Sequence, residues 1–187
     1  MRLILASASP RRAELLRAAG FEFETIVTDV DESVRPGESP SMYVRRLAAE
    51  KSAAAGAQVA GHAGDVIVLA ADTTVVVEAE ILGKPRDDAE ASNMLRRLSG
   101  RRHDVLTGIS VRRGAYEIGR VETTAVYFAP LTPDEVAWYV ASGEGRDKAG
   151  GYAIQGLASR FVTRIEGSYS NVVGLPVATA VELMRGA

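Results

Sequence analysis

Apolar runs, alternating stretches and capping residues divide the chain into interleaved strands and helices. Residues 3–6 form a short apolar run that reads as a first strand. Ser9 then precedes Pro10, a capping residue before a proline at the first helical position, which predicts a helix over residues 10–19 stopped by Gly20. Residues 21–30 alternate well enough for a strand. The turn-rich Arg35-Pro36-Gly37 leads into a helix over residues 41–55. Residues 66–71 are a continuous apolar run of buried-strand length, and residues 73–82 read as a further strand or hairpin. Asp87 can cap a helix reaching Leu98, with Gly100 as its stop signal.

Beyond that point, residues 103–111 and 118–128 look like a β-hairpin around Arg113-Gly114. Thr132-Pro133-Asp134-Glu135 is a capping box before an amphipathic helix ending near Gly143. A polar, glycine-rich loop over residues 143–156 follows, then a strand over residues 161–165, a loop, and a closing helix from about Pro176. Helices and strands alternate throughout, so the fold class is α/β with a mixed sheet. No repeat or long low-complexity segment occurs, although residues 52–64 are rich in Ala and Gly and suit a helix end plus a variable loop.

Composition narrows the chemistry. At 187 residues, 47% hydrophobic and 25% charged, the chain can bury a sizeable core, and one domain, divided at most into two lobes, is the expectation. The net charge of −2 argues against a general nucleic-acid binder. No cysteine is present, which removes disulfides, thiolate metal sites and cysteine nucleophiles, and only His62 and His103 can offer imidazole. A bound metal would therefore rest mainly on carboxylate and water oxygens, as Mg2+ or Mn2+ prefers. The opening apolar run is too short for a secretory signal, and no later run approaches a membrane span, so the expectation is a cytoplasmic protein without a membrane partner.

Several positions carry candidate chemistry. Arg11 and Arg12 fall in the first turn of a helix, where the backbone already presents positive partial charge. Either they are solvated surface arginines, or an anion sits nearby on the free N–H groups of that turn. Asp72 directly follows the apolar run of residues 66–71, which places a carboxylate at the carboxyl end of a buried strand, where open α/β sheets bind ligands; capping of a turn is the alternative. Lys51 follows Leu47 by four positions and Val44 by seven, so it shares the apolar face of its helix. It can snorkel to the surface or make a directed contact to an anion. Asp29, Asp31 and Glu32 form an acidic cluster that reads as a charged turn or as part of a cation site. The glycine-rich loop has neither P-loop nor Rossmann spacing, but Gln155 within it offers a donor and an acceptor to a base edge.

Taken in order, the segments Ala6-Ser7-Ala8-Ser9-Pro10-Arg11-Arg12, Asp31-Glu32, Ala49-Glu50-Lys51, Ala71-Asp72-Thr73, Ile81-Leu82-Gly83-Lys84-Pro85, Leu98-Ser99-Gly100, Asp147-Lys148-Ala149-Gly150, Ile154-Gln155-Gly156 and the stretch from Gly167 to Pro176 resemble the Maf family of nucleoside triphosphate pyrophosphatases. The resemblance implies an elongated α/β fold with a deep cleft between two lobes, similar to inosine triphosphate pyrophosphatases, and often a homodimer. It implies Asp72 as general base, with Arg11, Arg12, Lys51 and Lys84 facing phosphates. Ser9 would contribute a hydroxyl, and Glu32 would join Asp72 in holding a divalent metal. Arg11, Thr73 and Gln155 match the branch that resembles dTTP/UTP hydrolases rather than the branch acting on 7-methyl-GTP. Gly83 departs from relatives that carry an acidic residue there, with Glu80 as a possible substitute.

A triphosphate substrate suits this residue set, because it needs cations near its oxygens and a carboxylate to orient water. The competing expectation is a nucleotide-binding regulator of septum formation that keeps the cations without turnover. A nucleic-acid-binding module is disfavoured by the acidic balance and the lack of a basic, aromatic surface motif.

Overall fold

The computed structural model describes residues 2–60 and 65–187; His62, with the rest of residues 61–64 of the expected variable loop, lies outside the described residues. The chain opens with β1 (Arg2–Ala6), α1 (Pro10–Ala18), β2 (Glu24–Ile26) and α2 (Pro40–Val59). It continues through β3 (Val66–Val77), β4 (Glu80–Leu82), α3 (Asp88–Leu98), β5 (Arg102–Arg113) and β6 (Tyr116–Phe128). α4 (Pro133–Ser142), β7 (Val162–Glu166), α5 (Tyr169–Val173) and α6 (Val177–Gly186) complete it. The strands form a mixed seven-stranded sheet in the order β2-β1-β3-β5-β6-β7, with β4 paired to β3. Two compact units share the chain: one holds Met1–Asp72, Thr107–Glu122 and Gly174–Ala187, the other Thr73–Leu106 and Thr123–Val173.

In the first unit β1 runs parallel to both neighbours, pairing Ala6 with Ile26 on one side and with Ala70 on the other. Leu3 and Leu5 pack with Ala13 and Leu16 of α1 and with Ala180 and Leu183 of α6. Ile4 and Ala6 point the opposite way and pack with Ala55 of α2, Val68 and Ala70. Both faces of β1 and of the start of β3 are thus covered, which is why these strands read as unbroken apolar runs rather than alternating ones. α2 lies directly on β5: a Cβ on Gly108 would fall 2.1 Å from the Val44 carbonyl oxygen.

In the second unit the cap signals hold. Asp87 accepts from the Glu90 N–H at 2.7 Å, and Thr132 and Glu135 close a reciprocal capping box on α4. The core here is aromatic, with His103, Phe128 and Tyr152 in edge contact and Tyr139 packed on Phe161.

Four expectations are corrected. The strand expected over residues 21–30 shrinks to Glu24–Ile26, because β1 ends at Ala6, opposite Ile26, and offers no further partner. The helix expected to stop at residue 55 runs to Val59, continued by residues with good helix propensity such as Ala57 and Gln58. β3 is one strand of 12 residues, so Asp72 lies inside it and not at its carboxyl end. β1 pairing stops opposite Ala70, and Asp72 stands two residues past the last pair. Finally, the loop after β7 contains α5, held by Asn171, whose fully buried amide donates to the Val105 carbonyl and to Thr124 Oγ1, both at 3.0 Å. Among the described residues no helix is long and apolar enough to cross a membrane.

Candidate active site

The turn between β1 and α1 begins the site. Ser7 is buried just past β1 and its hydroxyl accepts from the Ser9 N–H at 3.1 Å. Ser9 occupies the helix-cap position, yet its side chain makes no capping hydrogen bond, so the expected cap is absent and the hydroxyl is not committed to the helix. No acidic residue lies in the first turn of α1, which therefore carries Arg11 and Arg12 on a positively polarised helix end. Arg12 is held back against the protein, donating from Nε to the Gly174 carbonyl at 2.7 Å and from Nη1 to Ser7 Oγ at 3.2 Å. Burial lowers its pKa, Asp72 and Glu32 oppose that shift, and neighbouring Arg11 adds to it. Two carboxylates and two guanidiniums thus act on one small region.

The centre of that region is an ion triad. Lys51, on the inward side of α2, donates to Asp72 Oδ1 at 2.6 Å and to Glu32 Oε1 at 2.6 Å. The Lys51 and Asp72 side chains are 12% and 11% exposed, while Glu32 is half open. The directed contact, not snorkelling, is the outcome for Lys51. A buried carboxylate needs such a partner, since leaving it unpaired away from water costs several kcal/mol, roughly 3–5 when a buried pair loses one member.

α2 also fixes the segment that carries Glu32. Arg46 grips Glu38 through Nε at 2.6 Å and Nη2 at 2.9 Å, and reaches the Ser33 carbonyl at 3.0 Å. The Tyr43 hydroxyl donates to the Glu32 carbonyl at 2.9 Å. Arg46 holds the Glu38 pKa down at about 2, and burial, with the charges of Asp72 and Glu32, pushes Tyr43 up to about 12. The acidic cluster separates accordingly: Asp31 accepts from the Ser33 N–H in a local turn, and Glu32 alone of the two turns to Lys51. Tyr43 and Arg46 were missed in the sequence, where only their spacing of three on one helix side hinted at a common neighbour.

Thr73, Lys84 and Gln155 belong to the second unit. Thr73 follows Asp72 in β3 and is half-buried; Lys84 and Gln155 are exposed. Lys84 lines an open groove of about 600 Å³ together with Leu82, Arg86, Glu90, Asn93 and Arg97. Charges of both signs border it, and Arg86 is engaged by Glu90. Glu80, the possible replacement ligand, is engaged by Arg97 at 2.7 Å. Among the described residues no three acidic or imidazole side chains converge into a ready-made metal cage. Arg12, Glu32, Lys51 and Asp72 are brought together within the first unit, with Ser9 and Arg11 at the start of the helix that carries Arg12.

The chemistry available there is that of an anion site with a built-in proton acceptor. The sequence matches the Maf-like protein family over residues 2–187. A dTTP/UTP pyrophosphatase of Anaeromyxobacter sp. is 54% identical over 191 residues, covering 100% of this chain and 89% of that protein. One from Vibrio cholerae is 49% identical over 184 residues, covering 98% and 97%. Among solved structures, a nucleoside-triphosphatase (dITP/XTP pyrophosphatase) from Mycobacterium abscessus aligns with 16% identity and a TM-score of 0.45, covering 100% of this chain and 94% of that one. With the match running from Arg2 to the last residue and half the positions shared with relatives of nearly the same length, the chain belongs to the Maf-like protein family.

Proposed function

We propose that this chain is a nucleoside triphosphate pyrophosphatase that hydrolyses dTTP and UTP between the α and β phosphates, releasing the nucleoside monophosphate and pyrophosphate. The observation that carries the reading is the Asp72 carboxylate, nearly buried and held 2.6 Å from Lys51 beside Arg12. Relatives about half identical over the full chain bear the name of that activity, which supports the same substrate class here.

Asp72 takes a proton from water as the water oxygen forms a bond to the α-phosphorus; the bridging P–O bond breaks, and its electron pair leaves on pyrophosphate. Lys51 has three N–H donors, of which Asp72 and Glu32 receive two, so a third remains for a phosphate oxygen. Arg11, Arg12 and Lys84 answer the remaining phosphate charge, and the Ser9 hydroxyl, free of capping, adds a neutral donor. Thr73 and Gln155 read the base.

The donor set fits a hard divalent cation, because Glu32 and Asp72 are carboxylate oxygen donors that already share one cation, the Lys51 ammonium. Glu32 and Asp72 would hold Mg2+ or Mn2+, which when bound neutralises triphosphate charge and stabilises the pyrophosphate leaving group. The same reading makes the protein a cytoplasmic homodimer whose partner is its nucleotide and neither nucleic acid nor membrane; the net charge of −2 argues against general nucleic-acid binding.

The test is pyrophosphate release from a panel of dTTP, UTP, CTP, 7-methyl-GTP and purine triphosphates with Mg2+ or Mn2+, with binding measured alongside. Turnover of dTTP and UTP at least about tenfold above 7-methyl-GTP is expected, the size of one well-made polar contact to the base. Tight binding with no pyrophosphate from any of them would replace this reading with that of a nucleotide-binding regulator.

A further inference from the structure

The glycine-rich stretch around residues 143–156 carries one residue assigned to the substrate above, Gln155, which is exposed. The backbone on both sides of Gln155 is tied to one pair of residues. Two positions before it, the Ala153 N–H donates to the Tyr139 phenolic oxygen at 3.0 Å. Two positions after it, the Leu157 N–H donates to Glu144 Oε1 at 2.9 Å. The two anchors are themselves joined, because the Tyr139 hydroxyl donates to Glu144 Oε2 at 2.8 Å.

Each anchor is fixed in turn. Tyr139 is 1% exposed and packs edge-on against Phe161 with ring centroids 5.6 Å apart. Burial and the Glu144 carboxylate raise its pKa well beyond the ordinary phenol value, so it remains a donor. Lys148 Nζ donates to the Glu144 carbonyl at 2.8 Å, which holds that residue from its backbone side. The clamp also accounts for two glycines. A Cβ on Gly156 would lie 1.9 Å from Glu144 Oε1, and one on Gly145 would lie 2.0 Å from the Gly151 carbonyl oxygen. Only hydrogen fits where the carboxylate and the opposing backbone approach so closely.

We infer that Tyr139 and Glu144 are positioning residues for base selection, holding the backbone on either side of Gln155 so that its amide meets a pyrimidine edge in one register. The inference rests on the proposed reading of Gln155 as a base contact. A long exposed side chain on a loose loop must be ordered at each binding event, and that ordering weakens binding; a clamped backbone removes part of the loss in advance. The Tyr139 hydroxyl and the Glu144 carboxylate are committed to each other and to the loop backbone, so their effect falls on the base.

The experiment compares wild type with Tyr139→Phe and Glu144→Gln. Tyr139→Phe keeps the packed ring and removes only the hydroxyl; Glu144→Gln keeps the shape and one acceptor. Melting temperature, kcat and KM are measured with dTTP and with 7-methyl-GTP. For dTTP each variant is expected to raise KM about five- to tenfold with kcat within about threefold of wild type, as for a lost hydrogen bond that leaves its partner unpaired. With 7-methyl-GTP, kcat/KM stays within about twofold, so the dTTP preference contracts about five- to tenfold. A variant that is merely less well folded loses activity on both substrates alike and keeps the ratio, and that result would overturn the inference while the parent reading stood. Wild-type protein that releases pyrophosphate from neither dTTP nor UTP would remove the parent reading and the inference with it.

Discussion

Lys51 Nζ lies 2.6 Å from Asp72 Oδ1, with both side chains about nine-tenths covered, although 21 residues separate them in the chain. Each needs the other: the ammonium and the carboxylate are both costly to remove from water, and the contact offsets much of that cost. Under the proposed function the pair joins the proton acceptor to a phosphate-facing cation, so substitutions on its two sides should give different signatures.

Replacing the acceptor tests the proton transfer. Asp72→Asn is nearly isosteric and keeps an oxygen for Lys51, so folding and nucleotide binding should persist. Turnover of dTTP at saturating metal should fall by about two orders of magnitude or more, as for a lost general base. Steady-state kinetics with a binding measurement decides it; wild-type turnover in the variant would remove Asp72 from the chemistry.

Replacing the cation tests phosphate recognition and stability together. Lys51→Ala leaves Asp72 covered without its partner, so a loss of about 3 kcal/mol in stability should accompany the loss of triphosphate use. Arg11→Ala should separate the two effects, weakening triphosphate use with little change in melting temperature. Thermal denaturation beside kinetics gives both numbers. A Lys51→Ala protein as stable as wild type would show that the ion triad contributes nothing to the fold.

His103 predicts a pH dependence of stability. Its ring is 1% exposed, Nε2 pairs with the Tyr152 hydroxyl at 2.8 Å, and Nδ1 has no hydrogen-bond partner among the described residues. Burial, helped by neighbouring Arg102, pushes its pKa down to about 4 from an ordinary 6.5. Between those values the unfolded chain takes up a proton that the folded one refuses, so stability rises with pH from about 4 to 6.5 and falls on acidification. The contribution can reach about 3 kcal/mol. His103→Gln should flatten the melting-temperature profile over that window; parallel profiles for the two proteins would mean that the ring charges freely inside the fold.

The turn between β3 and β4 is open to improvement. Glu78 and Ala79 both adopt left-handed backbone, with φ of 52° and 67°, where a Cβ is disfavoured by roughly 1–2 kcal/mol per residue. Asn-Gly suits a two-residue hairpin of this hand. Glu78→Asn with Ala79→Gly should add about 1 kcal/mol after the entropy that glycine costs, raising the melting temperature by about 2–4 °C. The exposed Glu78–Arg101 pair that is lost contributes little. A lower melting temperature would show that the turn is set by contacts other than its own backbone preference.

What the sequence determined by itself is local: the buried runs of β1 and β3, the proline that starts α1, the caps at Asp87 and Thr132, and the hairpin of β5 and β6. Each follows from residues a few positions apart, whose periodicity and backbone preferences act without the rest of the chain. Family-like segments also marked Lys51 and Asp72 as chemically unusual. Tertiary structure decided the rest. β2 is short because β1 stops at Ala6, and α5 exists because Asn171 satisfies its amide on β5 and β6. Which acid of the Asp31-Glu32 pair turns inward was fixed by Tyr43 and Arg46, and the direction of Lys51 by carboxylates 19 and 21 residues away. A charged group commits to a buried position only when its partner arrives there with it, and that arrival depends on long-range packing that no local pattern encodes.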